Sequence, residues 1–304
     1  MKNIIPALLI VFSIACSTSK EKAEVKTPTL TVQEVGTDAL LQAISIVDEN
    51  TAWLSGHKAI FVRTMDGGET WDVFQHPTGD TLQFRDIHAF DSSRVILMSA
   101  GPGNQSRIFE VRNGIVWREH FVMQDTAGFL DCIDFWDDKR GIAYGDAIDN
   151  FPYILLTKNA GRTWTRADTT NMPKAGKGEG GFAASGTCVT TGENGLAWIA
   201  TGASGNARIL ITKDYGQSWQ SYDTPIIKGE FAGHASIDFV DSLRGFVTGG
   251  DLAVRDQYTD NCAFTSDGGK TWELTGQPAT LGAFYGSSTI TIDDTNYTFV
   301  CGPN

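Results

Sequence analysis

The chain has 304 residues, 41% of them hydrophobic and 11% aromatic with 8 Trp, a composition that can fill a core and excludes an intrinsically disordered protein. Its formal net charge of −12 and pI near 4.8 argue against nucleic acid as a partner, because binding a phosphate backbone depends on Lys and Arg.

Residues 1–15 carry a single charge, Lys2, and an apolar run from Ile4 to Ala15 broken by Pro6. Such a run reads as an export signal and is too short to span a bilayer as a helix. Ser13-Ile14-Ala15-Cys16 resembles the lipobox of bacterial lipoproteins, with Ser13 where the common pattern has Leu. The resemblance implies a lipoprotein signal peptide over 1–16, acylation of Cys16, and a bacterial cell-envelope location, outer-membrane or periplasm-facing, held through the lipid anchor alone. A secretory signal cut nearby is the alternative. STSKEKAEVKTP at 17–28 is polar, charged and free of aromatics, as expected of a flexible tether. TVQEV at 31–35 could be a strand that closes a ring, so 17–35 is read as tether plus closing strand.

From residue 36 the chain repeats itself. ISIVD at 44–48, IHAFD at 87–91, IDFWD at 133–137 and IDFVD at 237–241 share one template, and eight residues past each closing Asp stands Gly56, Ser99, Gly145 or Gly249 behind an apolar run. That pattern predicts a strand, a turn at the Asp and a buried second strand. Another apolar stretch then leads into a box: TMDGGETW at 64–71, TKNAGRTW at 157–164, TKDYGQSW at 212–219 and TSDGGKTW at 265–272. The box predicts the connection of a third and fourth strand. Its Gly supplies a positive φ. Asp66, Asn159, Asp214 and Asp267 accept backbone N–H bonds, and Trp71, Trp164, Trp219 and Trp272 cover the hairpin. All eight are expected to be structural. The interval between the first two boxes is nearly double the others, and IFEVRNGIVW at 108–117 reads there as a box shortened by one residue. Four strands per ~45 to 55 residues is the content of a propeller blade. The expected fold is therefore all-β: a β-propeller of four-stranded antiparallel blades, with six begun near residues 40, 84, 129, 184, 234 and 286. The sixth unit has no box before residue 304, which predicts that the domain at 36–304 is C-terminally incomplete and that six or seven blades complete it.

This box resembles the Asp-box, or BNR, repeat of sialidases, sortilin-type receptors, some glycoside hydrolases and the photosystem II assembly-factor propellers. The resemblance covers about 36–304. It implies a box on the blade periphery, away from the ligand face, and does not specify a function. A sialidase would require an early Arg-Ile-Pro segment; the nearest strings, Arg107-Ile108-Phe109 and Arg208-Ile209-Leu210, lack the Pro and precede box hairpins.

In propellers, ligands bind at the loops after the second strand and at the loops between blades. These are long here, at 99–106, 145–152, 202–208 and 249–261, and the interblade loops 174–187 and 228–236 are related by Gly-Glu followed by Phe, Ala and Ser. The candidate ligand face comprises Asp146, Asp149, Glu179, Arg208, Glu230, His234, Asp251 and Arg255. His88, Asp134 and Asp238 share one template position where blades meet around the channel. They read either as a pH-sensitive ligand cluster or as interblade hydrogen-bond anchors. Asp146, Asp149 and Asn150 suggest Ca²⁺ but lack an EF-hand pattern. No nucleotide, haem or zinc-protease motif appears, so no cofactor, metal or catalytic residue is assigned. Cys132, Cys188, Cys262 and Cys301 have no close spacing. Cys132, Cys188 and Cys301 sit in apolar strand patterns that favour small buried hydrophobes, although an exported location permits disulfides. The expected function is protein or peptide binding by an envelope interaction or assembly factor, with carbohydrate as a possible ligand. The alternative is an envelope enzyme, either a glycoside hydrolase or a redox protein.

Overall fold

The computed structural model describes residues 29–79, 81–292 and 295–302. The signal segment with Cys16 and the tether up to residue 28 lie outside these residues. The chain divides into 1–33, whose described residues carry no regular element, and 34–304, which holds every strand described. The sequence at 31–35, expected as a closing strand, takes no strand pairing; Val32 is 93% exposed and the first strand begins at Leu41.

Five antiparallel sheets of four strands follow one another at 41–75, 84–122, 130–166, 189–222 and 232–274. A sixth sheet has two strands, Gly286–Ile292 and Thr295–Cys301. Strand order within each sheet follows the sequence, and no α-helix occurs among the described residues. The first strand of each sheet faces a common axial cavity, so the sheets are the blades of a β-propeller.

Alternation of apolar side chains gives every blade two packing faces, and the cores form between blades. Trp53, Phe61, Phe84 and Phe109 join blades 1 and 2. Ile96, Ile108, Leu130 and Ile133 join blades 2 and 3, and Tyr144, Ile154, Ile199 and Leu210 join blades 3 and 4. Between blades 4 and 5, the rings of Trp198 and Phe239 stack at 3.8 Å.

Hydrogen bonds lace the inner strands together. Ser45 Oγ accepts Ala89 N, Asp86 Oδ2 accepts Ile133 N, Asp134 Oδ2 accepts Thr191 N, and Asp238 Oδ2 accepts Thr289 N. Ser236 Oγ accepts Ser287 N in the same way. A polar side chain at the template position thus satisfies a neighbouring blade's backbone where no sheet partner is available.

Each closing Asp builds the expected turn: Asp48 accepts Thr51 N, Asp91 accepts Arg94 N, Asp137 accepts Arg140 N and Asp241 accepts Arg244 N, all at 2.7 to 2.8 Å. The boxes are equally regular. In the first, Thr64 Oγ1 donates to Asp66 and accepts Gly68 N, while Asp66 accepts Thr70 N. The same three bonds recur around Asn159, Asp214 and Asp267. Each box also donates one N–H to the first turn of its own blade: Gly67 to Asn50 O, Ala160 to Lys139 O, Tyr215 to Gly195 O and Gly268 to Leu243 O. Asn113 of the shortened copy keeps this bond, to Ser93 O, and with Gly114 takes the positive φ that the turn needs.

The cysteine expectation is corrected. Cys132 and Cys188 are joined as a disulfide with Cα atoms 5.9 Å apart, because Cys132 on the inner strand of blade 3 meets Cys188, just ahead of the inner strand of blade 4, across the seam. Cys301 is exposed, since it lies on the outer of the two strands of blade 6. Cys262 is buried, and burial pushes its thiol up to about 12.

Candidate functional site: the loop face and the axis

The loops between the second and third strands and between blades gather at one end of the propeller, opposite the box turns. Their centre is held by the 174–187 linker, which crosses the axis instead of skirting the rim. Gln42 of blade 1 donates to Ala184 O, and Arg85 of blade 2 donates to Ala183 O. Asp131 and Asp146 of blade 3 both accept the Gly181 N–H, at 3.1 and 3.3 Å. Thr187 Oγ1 donates to Ser236 of blade 5, and Ser185 Oγ donates to Tyr285 O at the start of blade 6. The linker therefore reaches every other blade before entering its own. Glycine is required at this close approach, since a Cβ on Gly180 or Gly181 would overlap the Asp146 or Asp131 carboxyl. The crossing shortens the inner strand of blade 4 to Val189–Thr191.

Glu179 and Arg208, expected on the ligand face, instead anchor the base of this linker. Glu179 is 1% exposed; its carboxylate takes Arg208 Nε and Nη2, the Thr201 hydroxyl and Gly176 N. A buried carboxylate survives when every oxygen is engaged. His234 is likewise fully buried. Its Nδ1 meets Thr201 O and its Nε2 meets the Thr224 hydroxyl, and burial lowers its pKa to about 4. The neutral ring therefore donates from Nδ1 and accepts at Nε2. Both residues belong to the fold: Glu179 because its linker turns inward, and His234 because it lies on the inner strand of blade 5, Ala232–Phe239. Asp149 is 84% exposed at a positive-φ turn and faces Arg166 at 3.7 Å. Asp146 turns to Gly181 instead, so the Asp146/Asp149/Asn150 grouping does not assemble. No cluster of three or more His, Cys, Asp or Glu side chains suited to a metal occurs among the described residues. Glu230 and Arg255 are exposed and Asp251 is half-buried.

Two spaces result. An axial cavity of about 450 Å³ is walled by inner-strand residues of all six blades, including Ser45, His88, Asp134, Thr190, Asp238 and Ser288. His88 Nδ1 lies 3.3 Å from Asp134 Oδ1, whereas Asp134 and Asp238 also hold the backbone of the next blade. Burial raises Asp238 and raises Asp86 strongly. Beyond the linker, an open hollow of about 340 Å³ is lined by Gln42, Arg85, Phe129, Asp131, Asp146, Phe182 and Tyr285. Asp131 is 1% exposed, and burial together with Asp146 raises it well above the carboxylate range; burial raises Asp146 to about 6. Sequence reading missed Asp131, Tyr144 and Phe182. Asp131 adjoins Cys132 and Phe182 stands in the linker three residues past Glu179, but no spacing signals that a linker 50 residues later will meet Asp131.

A scan of family models and a search of curated proteins find no match to this chain. Among solved structures it is similar to the β-propeller described as YCF48 from Cyanidioschyzon merolae, with a TM-score of 0.56, 14% identity, and 86% of this chain aligned to 80% of that one. It is also similar to the GH74 xyloglucanase from Xanthomonas campestris, with a TM-score of 0.54, 14% identity, and 77% of this chain against 38% of that one. U3-55K aligns with a TM-score of 0.56 at 10% identity, over 83% of this chain and 72% of that one. Identities this low establish the fold alone.

Proposed function

We propose that the chain is an exported propeller, attached to the bacterial cell envelope through acylated Cys16, that binds a protein or peptide on its loop face. The observation that carries this reading is the linker at 180–187. It closes the axis, so the loop face offers a broad surface contributed by several blades. A hydrolase would need two carboxyl groups facing each other across a cleft with a sugar between them, whereas Asp131 and Asp146 converge on the same Gly181 N–H. The Cys132–Cys188 disulfide supports an oxidising compartment. Exposed Phe231 and Leu40 on the interblade side supply apolar contact area. The regular boxes support membership of the Asp-box propellers.

A photo-crosslinking residue placed at Phe231 or Leu252 in cells is expected to capture one envelope protein, and the same residue at Lys213 on the box side is not. Equal capture from both ends, or none from the loop face, would remove the reading. Radiolabelled fatty acid that is incorporated into the intact chain and lost in Cys16→Ala tests the anchor independently.

A further inference from the structure

We infer that the hollow over the 180–187 linker is a socket for a cationic side chain, lysine or arginine, presented by the partner polypeptide. This deepens the protein-binding reading and rests on it. The socket is rich in acceptors and poor in donors. Asp131 and Asp146 share the single Gly181 N–H, and no other donor to either side chain is found among the described residues. Gln42 Oε1 is buried without a partner. The fully buried Tyr144 hydroxyl, which can donate as well as accept, also has no hydrogen-bond partner, although it does not line the hollow. Buried acceptors without donors are costly, and an ammonium or guanidinium group supplies several donors and a compensating charge at once. Phe129, Phe182 and Tyr285 provide ring surface for the aliphatic stem and for cation–π contact.

The charged groups around the pair are consistent with this ligand. Glu179 is neutralised by Arg208. Arg85, which lines the hollow, is committed to Gln83 Oε1 and Ala183 O. Neither Asp131 nor Asp146 is ion-paired with a cation among the described residues; the contact found for both is the Gly181 N–H. The raised pKa of Asp146, about 6 through burial, means that a proton occupies the pair in acid, and a bound cation must displace it.

The test is calorimetric titration of the full chain at low salt with acetylated, amidated Gly-Gly-X-Gly-Gly peptides in which X is lysine, arginine or norleucine. Lysine and arginine are expected to bind about tenfold or more tightly than norleucine, the scale of one charge-assisted pair. The preference should weaken from about pH 7.5 to about pH 5 as the carboxyl pair is protonated. Asp146→Asn keeps an acceptor for Gly181 N–H and should abolish the preference while leaving the thermal midpoint near that of the parent. Norleucine binding equal to lysine overturns the socket without recourse to any variant. So does a lysine preference that survives Asp146→Asn. Butylammonium binding as tightly as the lysine peptide would assign the hollow to free amines and overturn the polypeptide source. Crosslinking from Phe231 that persists in Asp146→Asn would leave partner binding standing while removing the cationic socket.

Discussion

His234 and the Asp131/Asp146 pair show how opposite pH dependences can be built from burial alone. The folded pKa of His234 is depressed to about 4, below the ordinary histidine value, so its stabilising contribution is complete above about pH 6.5 and is lost as pH falls toward 4. The cost at the acid end is about 3 kcal/mol for a fully buried ring. The carboxyl pair is raised, Asp146 to about 6. Its contribution is fully present below about pH 4 and lost as pH rises through 6. The two oppose each other between pH 4 and 6.5. Replacing either should unmask the other: His234→Asn, which can keep the donor to Thr201 O, should flatten the loss of urea stability in acid, and Asp146→Asn should steepen it. Unchanged pH profiles in both variants would contradict the assignment of these groups.

At the scale of the element, the unit of construction is the third-to-fourth strand hairpin clasped to the first turn of its blade. Threonine at the first box position does most of this work, since its hydroxyl both donates to the Asx side chain and accepts the N–H of the box Gly. Thr212 is 1% exposed. In Thr212→Val the buried Gly216 N–H loses its acceptor, and the half-buried Asp214 loses one of its donors. A loss of about 2 kcal/mol is expected, measured by denaturant unfolding, with the fold retained. The shortened copy at Asn113 omits the threonine and keeps only the clasp and the positive φ angles, which suffices because Trp117 packs among Phe61, Phe84 and Phe109.

At the scale of the molecule, the propeller is a chain of interblade seams, and the seam between blades 3 and 4 differs from the rest. Its linker leaves the rim to cover the axis, its inner strand is the shortest of the six, and a disulfide with a sequence separation of 56 spans it. Loss of that cross-link should cost about 4 kcal/mol by the loop-closure relation. Cys132→Ala/Cys188→Ala is expected to melt well below the parent in oxidising buffer and to match the reduced parent. Equal melting of all forms would show that the seam is held by packing and Asp134 alone.

Strand count, blade boundaries, closing-Asp turns and boxes were legible in the sequence, including the degraded copy, because each is a local device: an Asp two or three residues from the N–H it accepts, a Gly where φ must be positive, and an apolar alternation of period two. What the sequence did not reveal is everything that depends on two distant segments meeting. Cys132 and Cys188 looked like separate buried residues until neighbouring inner strands brought them face to face. Glu179 and His234 looked like rim groups until the linker of the first turned inward and the second fell on the inner strand of blade 5. Asp131 attracted no notice, since its partners, Asp146 and Gly181, come from a second strand and from a linker that crosses the axis. The repeat determined the blades by itself; only the tertiary structure decided which loop would close their centre and leave two carboxyl groups beneath it.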